Sequence, residues 1–349
     1  MVKKVILQAN SVSVQFKVRD QVLTAIRNIS LNLYEGEILA LVGESGSGKS
    51  IFTRTFTGML ESNGRVCEGE IIYNGKVLTD IKTNNEWINI RGKEIATIFQ
   101  DPMTSLNPIV TIGKQITEVV IKHQGKTASK AKETAIDLMR QVGIFDAQGR
   151  FDDYPFQYSG GMRQRIVITI ALACRPKILI CDEPTTALDV TIQAQILALI
   201  KELQQQYCFT TIFITHDLGV VAAIADKVAV MYAGQIVEYG EVEEIFYDPK
   251  HPYTWSLLSS LPQLGRKGAE LFSIPGTPPS LFKEIKGDAF APRNPYAMVI
   301  DFEKEPPAFA VSKTHWAKTW LLESRAPLLE KPKAIQNLHE KLQTHGGKT

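Results

Sequence analysis

One eight-residue stretch constrains this chain more than any other: residues 43–50 read Gly-Glu-Ser-Gly-Ser-Gly-Lys-Ser. The stretch follows the apolar run Ile38–Val42, which predicts a buried strand, and a helix is predicted to begin near Gly48. A strand, Gly-x-x-x-x-Gly-Lys-Ser and a helix together form a phosphate-binding P-loop. Glycines let successive backbone N–H groups turn inward around an anion, where a Cβ would obstruct the approach. The alternative is a flexible glycine and serine loop, but with a strand before it the pattern favours binding of a nucleoside triphosphate.

The residues of this loop have different expected roles. Lys49 is expected to reach the β- and γ-phosphates, and the Ser50 hydroxyl is expected to ligate Mg²⁺. The helix that follows adds the positive end of its dipole. The predicted nucleotide-binding residues here are Gly43, Glu44, Ser45, Gly46, Ser47, Gly48, Lys49, Ser50 and Ile51.

Four continuous apolar runs end on a polar or glycine-rich group. Besides the strand before the P-loop, they are Ile95–Phe99, Ile178–Cys181 and Thr211–Thr215. Continuous apolar runs are typical of strands buried on both faces of a parallel sheet. Because such sheets bind ligands just beyond the carboxyl ends of their strands, we expect several polar residues to converge on one nucleotide. These residues are Ser50, Gln100, Asp182, Glu183 and His216.

The regions around these strands show other patterns. Residues 5–40 alternate as antiparallel strands do, with Val12, Val14 and Phe16 apolar at every second position. Phe16 is a candidate for stacking on an adenine, although a phenylalanine in a strand is more often a core residue. Residues 101–163 contain helical patterns and turns but no strong strand, which predicts an inserted helical subdomain.

A second glycine turn precedes another apolar helix. Ser159 is a good N-cap, and Gly160 and Gly161 expose the first N–H groups of that helix as a second anion site. Taken alone, a glycine turn that merely caps a helix is the more common explanation. Two phosphate-binding elements with a single P-loop suggest that the second one serves a nucleotide held by another subunit.

Composition narrows the class of protein. The 349 residues are enough for one large domain and a smaller one, and 44% hydrophobic with 22% charged residues is typical of a soluble globular protein. A formal net charge of +2 argues against a nucleic-acid partner. The apolar run Val5–Leu7 is too short for a signal peptide, and the run Ile166–Cys174 is far below the ~20 residues of a membrane span.

Together these motifs resemble the ATP-binding subunits of ABC transporters, and the resemblance covers nearly the whole chain. Residues 43–50 match the Walker A motif, 159–164 the signature loop, 177–184 Walker B, 187–189 the D-loop, Gln100 the Q-loop and His216 the switch histidine, while Phe16 matches the adenine-stacking aromatic. Residues 99–108, 183–190, 251–254 and 274–281 resemble the oligopeptide and dipeptide permease branch. Met162 resembles the D-type of the two paralogous ATPases in such permeases.

The resemblance implies an α/β fold. We expect a P-loop NTPase core with an antiparallel β subdomain, an inserted helical subdomain at about 101–163 and a small C-terminal extension. The nucleotide-binding domain would span residues 1–245 and the extension residues 246–349.

The resemblance also implies function. The subunit would hydrolyse ATP to power oligopeptide import, with uptake of nickel or another small solute as the alternative. A soluble ABC ATPase of DNA repair or translation is disfavoured by the single cassette, the lack of sustained heptads and the near-neutral charge. The expected partners are a paralogous F-type ATPase subunit in a heterodimer, two transmembrane permease subunits and an extracytoplasmic peptide-binding protein, with no nucleic acid, at the cytoplasmic face of the membrane.

Site roles follow from the same resemblance. Glu183 would orient or deprotonate the attacking water, His216 would contact the γ-phosphate, and Gln100 would sense Mg²⁺ and the water. Ser50 and Asp182 would hold Mg²⁺. Across a head-to-tail pair of subunits, the nucleotide contacts are expected from Ser159, Gly160, Gly161 and Asp189.

One feature departs from the family. Many relatives carry cysteines in the extension that hold an iron–sulfur cluster, but here the alignable positions are Asp288, Asn294 and Asp301, and no cysteine follows Cys208. Because such clusters need thiolate ligands, we predict no cluster. A hard cation on the two aspartates would have a thin ligand set. The extension is instead expected to fold on apolar and aromatic contacts, with candidates Tyr253, Trp255, Leu257, Phe290, Tyr296, Trp316 and Trp320.

Overall fold

The computed structural model describes residues 4–186, 188–261, 273–332 and 335–336. The strands are β1 (Val5–Val18), β2 (Gln21–Tyr34), β3 (Ile38–Val42), β4 (Gly64–Tyr73), β5 (Lys76–Val77), β6 (Ile95–Ile98), β7 (Ile178–Asp182), β8 (Thr210–Thr215), β9 (Lys227–Tyr232), β10 (Gln235–Glu241), β11 (Phe309–Ala310) and β12 (Trp316–Ala317). The helices are α1 (Lys49–Thr55), α2 (Asn84–Ile88), α3 (Pro102–Ser105), α4 (Ile112–Gln124), α5 (Ala128–Gln141), α6 (Gly160–Ala173), α7 (Val190–Tyr207), α8 (Leu218–Ile224), α9 (Val242–Tyr247), α10 (Pro252–Ser259) and α11 (Val299–Glu303). Among these residues, no helix is both long enough and apolar enough to span a membrane.

The smaller sheet is an antiparallel subdomain with the strand order β2-β1-β4-β5. Val12, Val14 and Phe16 alternate along β1 and are all buried. Side chains at every second position of a strand share one face, so the apolar set lies together against the core. The prediction of antiparallel strands in this region is confirmed.

The larger sheet has the strand order β11-β12-β10-β9-β3-β8-β7-β6. The five strands from β9 to β6 pair in parallel, and β10, β12 and β11 extend this sheet in antiparallel fashion. Every residue of β3 and of β8 is buried. Their continuous apolar sequence therefore reflects strands covered on both faces, as predicted.

The register of the parallel strands brings the site together. Val42 at the end of β3 pairs with Thr215 at the end of β8, and Asp182 at the end of β7 pairs with Ile214. The strands thus end at one edge of the sheet, and the residues that follow them emerge side by side. This edge is where ligands bind in open α/β sheets.

Residues 101–163 contain α3, α4, α5 and the start of α6, and no strand, as expected for an inserted helical subdomain. Ile116 of α4, Met139 of α5 and Ile168 of α6 are fully buried in one hydrophobic cluster. Ile98 and Phe213 of the parallel sheet belong to the same cluster. The helical subdomain therefore packs on one face of the sheet through a continuous core.

The extension continues the architecture of the nucleotide-binding part. Its strand β12 pairs with β10, and its buried residues share a third core with β3, α8 and β9. The predicted boundary at residues 245 and 246 falls within α9. Residues 262–272, 333–334 and 337–349 of the predicted extension, and Ala187 of the predicted D-loop, lie outside the described residues.

The apolar and aromatic candidates of the extension lie in three places. Five of them belong to or pack against the third core: Tyr253, Trp255, Leu257, Phe290 and Tyr296. Trp316 stacks on Tyr239 with ring centroids 6.0 Å apart, and Trp320 contacts Phe309 edge to face. Aromatic contacts of this kind add to the stabilisation by area burial.

The three positions where many relatives carry cysteines hold buried polar side chains. Asp288 and Asn294 each accept a hydrogen bond from the backbone N–H two residues further on, and Asp301 accepts one from Met298. Burial raises the pKa of Asp288 to about 7. These side chains stabilise local turns, so their polarity has a structural role.

Candidate nucleotide site

The P-loop lies between β3 and α1 in a conformation that only glycine adopts easily. Gly43, Gly46 and Gly48 have φ values of +152°, +80° and +102°. A Cβ added at Gly43 would lie 2.1 Å from the carbonyl oxygen of Met231. The glycines are therefore required by backbone geometry as well as by the approach to phosphate.

Lys49 is almost fully buried at the start of α1, with 5% of its surface exposed. Its Nζ donates hydrogen bonds to the carbonyl oxygens of Gly43, at 2.8 Å, and Glu44, at 2.9 Å. Burial lowers the pKa of Lys49, while the carboxylates of Glu183, Asp182 and Glu44 oppose that shift. The ammonium group is thus directed into the concave side of the loop.

Ser50 and Asp182 form a pair of oxygen ligands at this edge that suits a hard cation. The Ser50 hydroxyl donates to Asp182 Oδ1 at 2.8 Å. Burial raises the pKa of Asp182, and the hydrogen bond from Ser50 opposes that shift. Within the described part of the chain no three His, Cys, Asp or Glu residues cluster as metal ligands. One hydroxyl and one carboxylate fit Mg²⁺, which takes few protein ligands and is completed by phosphate oxygens and water.

Glu183 is the centre of the polar cluster beyond β7. Its Oε2 accepts hydrogen bonds from Gln100 Nε2 at 3.2 Å and from the Thr186 hydroxyl at 2.9 Å. Its Oε1 lies 3.2 Å from His216 Nδ1. The convergence predicted for Gln100, Glu183 and His216 is present, and the carboxylate is held at both oxygens.

Two features of this cluster were not predicted from the sequence. Glu183 has a φ of +47°, a left-handed conformation that costs a residue other than glycine about 1–3 kcal/mol. Thr186, three residues after Glu183, orients its carboxylate. The spacing of three residues is the only signal in the sequence that could have indicated this contact.

The second glycine turn lies against the start of α7. Ser159 is the N-cap of α6, as predicted, and its hydroxyl accepts a hydrogen bond from the Met162 N–H. Asp189 is the N-cap of α7, where its Oδ1 accepts from the Ile192 N–H at 2.9 Å. A Cβ added at Gly161 would lie 2.8 Å from the Ile192 side chain. No hydrogen bond or ion pair among the described residues joins this turn to the chain's own P-loop.

Phe16 of β1 and Ile51 of α1 pack in the same hydrophobic core. Phe16 is 6% exposed, and a Cβ added at Gly64 would lie 2.4 Å from its ring. Ile51, in α1, packs against the core that contains Phe16. The Phe16 ring is therefore a core side chain in this structure, and adenine stacking stays a prediction.

The extension contacts the P-loop at Glu44, which sequence reasoning did not indicate. Arg293 Nη1 and Nη2 donate to the two carboxylate oxygens of Glu44 at 2.6 and 2.9 Å. The Glu44 backbone N–H donates to the Tyr253 hydroxyl at 2.8 Å. Each contact joins residues more than 200 positions apart in the sequence, so local sequence patterns could not have predicted it.

Two family models match the chain. The model described as ABC transporter matches residues 26–186, and the model described as the C-terminal region of oligopeptide/dipeptide transporters matches residues 237–300. They cover the P-loop, Gln100, Glu183 and Thr186, and the part of the extension that contacts Glu44. His216 lies between the two matched ranges.

Curated proteins and solved structures are similar to the chain over most of its length. It is 70% identical over 345 residues to the oligopeptide transport ATP-binding protein AmiE of Streptococcus pneumoniae, covering 99% of this chain and 97% of the relative. It is 54% identical to the oligopeptide transport ATP-binding protein OppD of Bacillus subtilis, with 97% and 94% covered. The ATP-binding cassette MJ0796, solved as a dimer in a post-hydrolysis state with ADP and Pi, has a TM-score of 0.60 at 26% identity, covering 68% of this chain and 98% of that one. A Clostridium perfringens cassette, cbiO1, has a TM-score of 0.61 at 25% identity, with 70% and 92% covered.

Proposed function

This chain belongs to the ABC transporter family, as an ATP-binding subunit of its oligopeptide and dipeptide branch, and on that premise we propose that it hydrolyses ATP to power oligopeptide import. As such a subunit it binds ATP and acts peripherally at the cytoplasmic face of the cell membrane, next to permease subunits. The observation that supports the assignment of ATP hydrolysis is the Glu183 carboxylate, which contacts Gln100, Thr186 and His216.

The chemistry that we propose assigns one task to each group. Lys49 and the loop N–H groups stabilise charge on the β- and γ-phosphates. Ser50 and Asp182 hold Mg²⁺, which when bound neutralises charge between these phosphates. Glu183 takes the proton of the attacking water, because its carboxylate follows β7 at the edge where the phosphates bind. Gln100 and His216 position that carboxylate and contact the water and the γ-phosphate.

We assign the second glycine turn to a nucleotide bound by a partner subunit. A Cβ added at Gly161 would meet the Ile192 side chain, and no hydrogen bond or ion pair in the described part of the chain joins the turn to its own P-loop. The solved dimeric cassette with ADP and Pi supports a paired arrangement. The partner that we propose is the paralogous F-type ATPase, in a head-to-tail heterodimer that sandwiches two nucleotides. Two permease subunits and an extracytoplasmic peptide-binding protein complete the transporter.

A groove beside Gln100 is the proposed contact for the permease. It encloses about 850 Å³ between the sheet edge and the helical subdomain. Phe99, Thr104 and Ile170 are among its lining residues, and Phe99 is 37% exposed. Ser50 and Asp182 also line this groove, and Gln100 contacts Glu183, so a permease helix docked here would lie next to the site of hydrolysis.

The assignment of oligopeptides as the transported substrate rests on the similarity to oligopeptide transport proteins. We expect the complex reconstituted in proteoliposomes with its permease and binding protein to hydrolyse ATP faster when an oligopeptide is added. Nickel, the alternative cargo, is expected to leave the rate at its basal level. Stimulation by nickel with no response to peptides of any length would contradict the peptide assignment and leave the ATPase assignment intact.

The extension is predicted to bind no iron–sulfur cluster. Asp288, Asn294 and Asp301 each have one oxygen engaged in a turn, and hard oxygen ligands replace thiolates poorly. Protein purified without oxygen should therefore contain far less than one iron per chain and show no visible absorbance. Stoichiometric iron and sulfide with a brown colour would contradict this prediction. A relative that retains the cysteines serves as the positive control.

A further inference from the structure

Glu44, the second residue of the P-loop, is held at both its side chain and its backbone by residues far along the chain. Arg293 binds both carboxylate oxygens in a bidentate ion pair. Tyr253 accepts the backbone N–H through its hydroxyl. The Glu44 carbonyl oxygen in turn accepts from Lys49. One residue thus links the extension to the ammonium group that is proposed to bind phosphate.

Arg293 is itself fixed within the extension. It is 6% exposed, and its Nε donates to the Pro275 carbonyl oxygen at 2.8 Å. Nη1 also lies 3.2 Å from the Tyr232 hydroxyl, and the guanidinium carbon is 6.0 Å from the centre of the Phe290 ring. The hydrogen bond to Glu44 raises the pKa of Arg293 further above its already high value. Because these hydrogen bonds and ring contacts fix the guanidinium, it has little freedom to release Glu44.

The anchoring tyrosines belong to the same packed unit. Tyr253 and Tyr232 are in contact with ring centroids 4.6 Å apart, and each lies 5.3 Å from the Phe290 ring. Tyr232 ends β9, the neighbour of the P-loop strand β3 in the sheet. The Leu281 carbonyl oxygen accepts from the Thr24 N–H of β2. The extension therefore contacts the P-loop from a rigid base that is tied to both sheets.

We propose that the extension braces the P-loop, with Arg293 and Tyr253 as positioning residues that act on nucleotide affinity through Glu44. The brace restricts the loop to one conformation, which reduces the entropy lost when phosphate binds. Arg293 also neutralises the Glu44 carboxylate, whose negative charge acts on Lys49 and would otherwise repel phosphate. This inference rests on the proposed nucleotide site but not on the identity of the cargo.

The test is a double-mutant cycle on the full-length chain, measured by titration with a fluorescent ATP analogue. Arg293→Ala should weaken binding about ten-fold or more, since it leaves the Glu44 carboxylate unpaired beside the phosphates. Adding Glu44→Gln to that variant should restore part of the affinity, because the repelling charge is gone. In the assembled complex, Arg293→Ala should raise the KM for ATP much more than it lowers kcat.

Two further variants separate positioning from folding. Tyr253→Phe keeps the buried ring and removes only the acceptor for the Glu44 N–H, so it should weaken binding at an unchanged thermal midpoint. Arg325→Ala is the matched control in the same extension, because among the described residues Arg325 forms an ion pair with Glu323 alone and its side chain is 88% exposed. It should bind the analogue as the wild type does.

Three results would count against these ideas. Wild-type affinity in Arg293→Ala and in Tyr253→Phe would overturn the brace. Strictly additive effects of Arg293→Ala and Glu44→Gln would overturn the coupling through Glu44. Failure of the wild-type chain to bind the analogue would refute the proposed nucleotide site itself. If the double-mutant cycle gave the expected result but peptides did not stimulate ATP hydrolysis by the complex, only the proposed cargo would be refuted.

Discussion

Glu183→Gln is expected to abolish turnover at the nucleotide site of this chain while leaving ATP bound. A positioned general base contributes about 10²- to 10⁴-fold to a rate, and the amide has no basic oxygen pair to take a proton from water. Hydrolysis at this site should fall by that factor. The measurement is single-site turnover in the assembled heterodimer, because the partner's site can continue to hydrolyse ATP.

The Glu183→Gln variant should still bind ATP, because glutamine can reproduce the contacts of Glu183. An amide oxygen facing Gln100 and Thr186 accepts the same two hydrogen bonds as Oε2 does. The amide N–H₂ would then face His216 Nδ1, which accepts a hydrogen bond in one tautomer of the neutral ring. The substitution keeps the shape of the cluster, so the P-loop contacts should be undisturbed.

The matched control is Glu202→Gln, which makes the same change on the exposed side of α7. It should hydrolyse ATP at the wild-type rate. Wild-type turnover in Glu183→Gln at its own site would show that the general base lies elsewhere. Loss of ATP binding in that variant would instead show that the carboxylate is needed to form the site.

Ser159→Arg is expected to impair the nucleotide site of the partner more than the site of this chain. The substitution removes the acceptor for the Met162 N–H and places a long side chain at the start of α6. This displaces the N–H groups at the start of α6 from the phosphate, and losing one aligned N–H donor costs on the order of 10²-fold in rate. Site-resolved trapping of nucleotide in the heterodimer should therefore show loss at the Walker A site of the partner.

Ser129→Arg provides the control, because Ser129 is an exposed serine in the first turn of α5. It should leave trapping at both sites unchanged. If Ser159→Arg removed trapping only at the Walker A site of its own chain, the arrangement in trans would be refuted. Equal loss in the Ser129→Arg control would mean that the effect is one of folding.

The sequence by itself determined the nature of the site and most of its members. Continuous apolar runs predict parallel strands, and parallel strands end at a common edge, so the residues that follow them had to lie together. Ser50, Asp182, Gln100, Glu183 and His216 were predicted on this basis, and their mutual contacts are present. The N-cap role of Ser159 could also be predicted from local sequence, because capping depends on the residues of one turn.

Only the tertiary structure decided which distant groups hold these residues in place. Hydrophobic periodicity indicates which side chains are buried, but it does not say what they contact. The packing of Phe16 against Gly64, for example, could not be predicted from the alternating pattern of its strand. Glu44 is joined to Arg293 across 249 residues, a pairing that arises only when the extension adds to the same sheet and core. The P-loop is defined by its own sequence, whereas its support depends on packing between the two ends of the chain.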